Sequence, residues 1–219
     1  MGLNQADLNP ILCKNPDYQL EIFANKLSLL QIIDQHHVFV DFQSRALQFR
    51  STAHLNAELL IKAVLGKKKQ ALKIIDVTAG FGKDSYLLAL TGSEITAYES
   101  NPLMFALLKD GLHRTEVTNI SLYQKNSLAA MPSANCDVIY LDPMYPATKK
   151  SAKHNKHMMF LQTCVGQQKA MDEDLFNQAL QSNTKKIVIK RPIKAKFVLN
   201  KQPTSQITGK TIRFDIYAQ

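Results

Sequence analysis

The apolar pattern of this chain changes character near His54. Before it the sequence is irregular, and short β-like stretches at Tyr18–Phe23 and Val38–Phe42 predict strands in a small N-terminal appendage. Residues 54–65 then place Leu55, Leu59, Leu60, Ala63 and Val64 on one helical stripe, with Gly66 as a stop. An alternation follows. Ile74–Val77 reads as a strand, then a glycine turn, then a helix over Ser85–Leu90. Ile95–Tyr98 is a second strand, and Pro102 opens a helix that runs through Leu112. Ile120–Tyr123, Val138–Leu141 and Ile187–Ile189 are further strands, with a helix over Asp172–Gln181 before the last of them. Ile212–Tyr217 closes the chain as an alternating strand. Strands this continuously apolar, interleaved with helices, predict an α/β fold whose mostly parallel sheet is covered by helices on both faces. The expected division is an N-terminal extension with short strands over 1–50 and the sheet domain over 51–219. Ligands of such sheets bind beyond the carboxyl ends of the strands, so the residues just after each strand are where chemistry is expected.

Composition narrows the partners. Among 219 residues, 27 Lys and Arg against 18 Asp and Glu give a formal charge of +9, which favours a polyanion. Cys13, Cys136 and Cys164 are odd in number and far apart, and form no C-x-x-C pair. They read as thiols in a reducing compartment and not as a disulfide framework or zinc site. The N-terminus lacks a basic-then-apolar signal segment, no apolar run approaches the ~18–20 residues of a membrane span, and Ala6 stands where a myristoylation motif wants Ser or Thr. The expectation is a cytoplasmic protein with no membrane association and no obligate protein partner.

Four strand ends carry candidate chemistry. The first is Asp76-Val77-Thr78-Ala79-Gly80-Phe81-Gly82-Lys83-Asp84, where Gly80 and Gly82 let backbone approach a ligand closely. A dinucleotide fingerprint would need a third glycine where Ser85 stands. After the second strand comes Glu99, nineteen positions beyond Gly80, suited to accept hydrogen bonds from both ribose hydroxyls of a nucleoside cofactor. Loop and acid together point to nucleoside binding without choosing between NAD and S-adenosylmethionine. Asn126 and Ser127, after the third strand, suit an adenine edge.

The discriminating turn follows the fourth strand: Asp142-Pro143-Met144-Tyr145-Pro146. An exocyclic amine is a weak nucleophile because its lone pair is delocalised into the ring. A carboxylate at Asp142 can accept its hydrogens and favour the charge that develops on nitrogen during attack. Pro143 stiffens the turn, and Tyr145 can stack on a base, worth ~1–3 kcal/mol in comparable sites. Transfer of a methyl group needs no metal, so acceleration would come chiefly from alignment. Downstream, Lys149, Lys150, Lys153 and Lys156 form a basic loop suited to phosphates. Its His154 and His157 lack the carboxylate or cysteine neighbours of a metal site, and His36-His37 is no better placed. Lys190-Arg191-Pro192 follows the fifth strand, and Arg191 could clamp a phosphate or a guanine edge. Lys67-Lys68-Lys69 falls at the opposite edge and reads as solubilising.

These residues resemble the bacterial small-subunit (16S) ribosomal RNA guanine-N2 methyltransferase J family, over roughly Val38 to Ala218. The resemblance is carried by the Asp76–Asp84 turn, Glu99-Ser100-Asn101-Pro102, the Leu107–Leu112 helix and the Asp142–Pro146 turn. Phe160–Gly166, Lys190-Arg191-Pro192 and Arg213-Phe214-Asp215-Ile216-Tyr217 add to it. It implies a Rossmann-like class I methyltransferase fold, S-adenosyl-L-methionine as donor, and a guanine amine of ribosomal RNA, free or in the small ribosomal subunit, as acceptor. It also implies cofactor contacts at Lys83, Asp84, Glu99, Ser100, Asn126, Ser127 and Asp142. Ser100 stands where the family often has Arg, and Asn126 where it often has Ser. Adenine N6 or another amino group is the alternative acceptor. A nicotinamide-dependent oxidoreductase is a more distant alternative, which would leave the Asp142 turn idle. A non-catalytic RNA-binding module is the third.

Overall fold

The computed structural model describes residues 17–52, 54–67, 70–129, 135–143 and 169–219. Two antiparallel pairings build a small N-terminal sheet from β1 (Tyr18–Phe23), β2 (Lys26–Gln31) and β3 (His36–Val38). The β1–β2 hairpin turns on Ala24 and Asn25, both at positive φ, the conformation that matches the right-handed twist of paired strands. Helix α1 (Arg45–Ser51), a 3-10 turn at Leu55–Ala57 and α2 (Leu59–Leu65) follow.

The main sheet has seven strands: β4 (Lys73–Asp76), β5 (Glu94–Glu99), β6 (Ile120–Gln124), β7 (Val138–Leu141), β8 (Lys186–Pro192), β9 (Ser205–Thr208) and β10 (Ile212–Ala218). Their spatial order is β6-β5-β4-β7-β8-β10-β9. The first five are mutually parallel, and β10 pairs antiparallel with both β8 and β9. Helices α3 (Lys83–Ala89), α4 (Pro102–His113) and α5 (Lys169–Gln181) complete the set. The chain order reverses between β4 and β7, so a crevice is expected beyond the carboxyl ends of those two strands.

Because side chains alternate along a strand, neighbouring residues feed opposite layers. Ile74, Ile95, Val138, Tyr140 and Val188 pack with α2, α3 and α4, while Ile75, Ile139, Leu141, Ile187 and Ile189 pack with α5 through Leu175, Phe176 and Ala179. Among the described residues, the N-terminal sheet shares the core of the main sheet. Leu29, Val38, Val40 and Phe42 join the first layer, with Phe42 stacked on Tyr86 at 4.5 Å between ring centroids.

Several elements differ from the sequence expectation. The helix foreseen over 54–65 is broken at Glu58, whose extended backbone separates the 3-10 turn from α2, although Gly66 ends it at positive φ. The strand foreseen at Val38–Phe42 pairs only at His36–Val38, because Val40 and Phe42 turn into the core. Strands β2 and β9 and helix α1 were not foreseen. Among the described residues, no helix is long and apolar enough to cross a membrane.

Candidate active site

The turn after β4 is shaped by its glycines. Gly80 and Gly82 both have positive φ, and a Cβ on Gly82 would lie 2.3 Å from Leu108 Cδ1 of α4. Only a glycine lets α3 begin this close to its neighbour. Asp76, at the end of β4, is 1% exposed. Its carboxylate accepts from the Thr78 N–H at 3.0 Å and from Ser85 Oγ at 2.5 Å, locking the turn from beneath. Burial pushes its pKa up to about 7, against the hydrogen bonds from Ser85 and Thr78.

Glu99 ends β5 and faces this turn. One of its oxygens accepts the Gly80 N–H at 2.9 Å and the other the Asn101 N–H at 2.7 Å. The carboxyl is 9% exposed, and burial raises its pKa although backbone donors oppose the shift. Each oxygen retains a further lone pair, so the pair of them fits the two hydroxyls of a ribose. Asn101 caps α4 by accepting the Leu103 and Met104 N–H groups, with Pro102 at the first helical position. The turn carrying Ser100 is therefore fixed at both ends, and Ser100 itself is exposed.

The turn after β7 is tied into the same crevice. The Asp142 N–H donates to Thr78 Oγ1 at 2.7 Å. Lys190 of β8 donates from Nζ to Asp142 Oδ2 at 2.7 Å and to Asp84 Oδ2 at 2.8 Å, and the Tyr140 hydroxyl donates to Asp84 Oδ2 at 2.6 Å. One ammonium thus faces two carboxylates and can neutralise only one of them. Asp84 receives two donors: burial raises its pKa, but the Lys190 charge outweighs this and holds it below the usual range. Asp142 goes the other way: burial pushes it up to about 6, Lys190 opposing and the Asp84 charge adding to the rise. Burial lowers the Lys190 pKa, yet the charges of Asp84 and Asp142 prevail and raise it. With 36% of its side chain exposed, Asp142 is the more open carboxylate of the two; Asp84 is 14% exposed. Pro143 behind it is buried.

The structure therefore brings Gly80, Gly82, Asp84, Glu99 and Asp142 together beyond the carboxyl ends of β4, β5 and β7, where the crevice of such a sheet is expected. Lys83 is exposed at the start of α3. Asn126 is exposed and accepts the Leu128 N–H, whereas Ser127 is buried and donates to the Val77 carbonyl at 3.0 Å, bracing the crevice wall. Lys190 faces carboxylates inside the crevice and not an outer surface. Arg191, on the opposite face of β8, is 9% exposed and donates to the Lys196 carbonyl. Tyr145, Lys149, Lys150, Lys153 and Lys156 lie outside the described residues, as do His154 and His157. The sequence pattern gives no role to Asp76, Thr78 or Tyr140; the partners of Thr78 and Tyr140 lie 64 and 56 residues away. Among the described residues, no group of three potential metal ligands occurs.

A family profile described as "Putative SAM-dependent methyltransferase" matches residues 4–219. A relative named ribosomal RNA small subunit methyltransferase J, from Hahella chejuensis, is 39% identical over 191 residues, covering 83% of this chain and 72% of its own. The protein of that name from Neisseria meningitidis serogroup B is 37% identical over 205 residues, covering 87% and 80% respectively. The crystal structure of a SAM-dependent methyltransferase from Neisseria gonorrhoeae superposes with a TM-score of 0.71 at 31% identity, covering 98% of this chain and 92% of the other.

Proposed function

Because this chain belongs to the SAM-dependent methyltransferase family, we propose that it methylates the exocyclic N2 amine of a guanine in small-subunit (16S) ribosomal RNA. Family membership removes the nicotinamide oxidoreductase alternative. The observation that carries the proposal is the position of Asp142. Its carboxylate is open to the crevice, and its backbone is anchored to the turn that shares the crevice with Glu99.

S-adenosylmethionine supplies a sulfonium methyl group, whose bond to sulfur breaks as the amine nitrogen bonds to carbon, leaving S-adenosylhomocysteine. The chain's own residues bind, orient and accept. Glu99 would hold the ribose hydroxyls, and the Gly80–Gly82 turn would let the cofactor approach the backbone closely. Asp142 accepts a hydrogen from the target amine and counters the positive charge that grows on nitrogen. With its pKa near 6, it is ionised at neutral pH and can take the proton that nitrogen must lose. The buried Pro143 and the Thr78 hydrogen bond hold it in place, so little rearrangement is needed on the way to the transition state. Tyr145 would stack on the base. A base taken out of a stacked or paired region costs a few kcal/mol, which that contact offsets.

The small ribosomal subunit rests on the relatives' name, and guanine N2 on the family resemblance carried by the sequence motifs around Asp142. The basic residues Lys149, Lys150, Lys153 and Lys156 are assigned to the RNA backbone on their place beside the Asp142 turn. The test is methyl transfer from tritiated S-adenosylmethionine to ribosomal RNA from cells lacking this gene, followed by digestion to nucleosides. Label is expected in N2-methylguanosine. Label confined to N6-methyladenosine, or none, would overturn the assignment.

A further inference from the structure

We propose that Lys190 is a positioning residue. Clamped between Asp84 of α3 and Asp142 after β7, it keeps the Asp142 carboxylate charged and aimed at the crevice. The inference rests on the methyl-transfer reading of Asp142 but concerns a residue which that reading does not use.

The geometry supports it in three ways. Lys190 Nζ lies 2.7 Å from Asp142 Oδ2 and 2.8 Å from Asp84 Oδ2, so a single ammonium bridges the cofactor-side helix and the acceptor-side turn. Tyr140 donates to the same Asp84 oxygen at 2.6 Å, fixing the far side of the bridge. Asp142 directly follows β7 and Lys190 lies within the neighbouring parallel strand β8, with Leu141 paired to Ile189, so the contact is set by sheet register. The lysine occupies Asp142 Oδ2, and Oδ1 is the oxygen left to meet an amine.

The groups around Asp142 come from four elements. Asp84 from α3 repels its negative charge, Asp76 from β4 and the neutral Tyr140 hydroxyl from β7 in turn feel it, and Lys190 from β8 supplies the positive charge. Arg50 of α1 acts on Asp84 while paired to Glu58. Burial and the Asp84 charge therefore push Asp142 toward its neutral form, and the lysine opposes them. A neutral carboxyl could neither counter charge growing on nitrogen nor take its proton. In this arrangement Lys190 and Asp84 have opposite effects on the same carboxyl, and that opposition is a signature a purely structural lysine would not give.

The test is a carbon-13 NMR titration of the Asp142 carboxyl in the free enzyme, assigned by its loss in Asp142→Asn. The wild type is expected to titrate near 6. Lys190→Met should raise that midpoint by about one unit or more, and Asp84→Asn should lower it. Lys190→Arg should restore a value near the wild type. If Lys190→Met does not fold, Lys190→Gln carries the same expectation. An Asp142 midpoint unmoved by loss of the lysine charge, or moved in the same direction by Lys190→Met and Asp84→Asn, would overturn the proposal. The titration needs no RNA. Failure to form N2-methylguanosine would therefore remove the acceptor assignment and leave this result standing on its own.

Discussion

Thr78 Oγ1 accepts the backbone N–H of Asp142 at 2.7 Å, joining the turn after β4 to the turn after β7. These turns belong to strands that are adjacent in the sheet but 64 residues apart in sequence. Thr78→Val keeps the shape and removes the acceptor. The variant should lose about 1 kcal/mol of stability, and kcat for methyl transfer should fall about tenfold with cofactor affinity little changed. Steady-state kinetics with calorimetric binding of S-adenosylhomocysteine separates these effects. An unchanged kcat would mean that the turn is held by other contacts.

The two glycines of the β4–α3 turn should respond differently to the same substitution. At Gly82 an added methyl meets Leu108 at 2.3 Å as well as a positive φ, so Gly82→Ala should cost about 3 kcal/mol and weaken binding of S-adenosylhomocysteine. At Gly80 the nearest atom to an added Cβ is 3.9 Å away, leaving backbone strain of about 1–2 kcal/mol. Urea unfolding of both variants checks the order, which would be wrong if Gly80→Ala were the more damaging.

Asp76 makes a pH-dependent contribution whose sign follows from its raised pKa. An acid with a folded-state pKa of about 7, against about 3.9 unfolded, binds its proton more tightly when folded. Its contribution is fully present below about pH 4 and is lost as pH rises through about 7, up to roughly 4 kcal/mol. Asp76→Asn removes this dependence, so the melting temperature of the variant should gain on the wild type between pH 5 and 8.5. A difference constant across that range would refute the shift.

Much of this fold was legible because its signals are local. Ile74–Val77, Val138–Leu141 and Ile187–Ile189 are short apolar runs, and Pro102 marked a helix start that Asn101 caps. The missed β2 is part of the reason the N-terminal sheet was under-read: its turn is Ala24-Asn25, with no glycine to announce it. Glu58 breaks the 54–65 helix through backbone geometry that no periodicity records. In the site, Glu99 and Asp142 are legible because each directly follows an apolar run that reads as a strand, Ile95–Tyr98 and Val138–Leu141. The setting of Lys190 could not be read that way, since its partners lie 48 and 106 residues away and depend on register across the sheet.

RNA binding should weaken steeply with salt if the lysines beside the Asp142 turn grip phosphates. Replacing Lys149, Lys150, Lys153 and Lys156 together by alanine should reduce the slope of log K against log salt by about 3. Filter binding to ribosomal RNA across a salt series measures it. An unaltered slope would place the phosphate contacts elsewhere.

The most direct measurement is single-turnover methyl transfer by Asp142→Ala at saturating cofactor, with RNA binding measured alongside. The rate should fall by about two to three orders of magnitude while the RNA dissociation constant stays within a few-fold of wild type. Methyl transfer at the wild-type rate would contradict the account, because the carboxylate after β7 would then have no part in activating the amine.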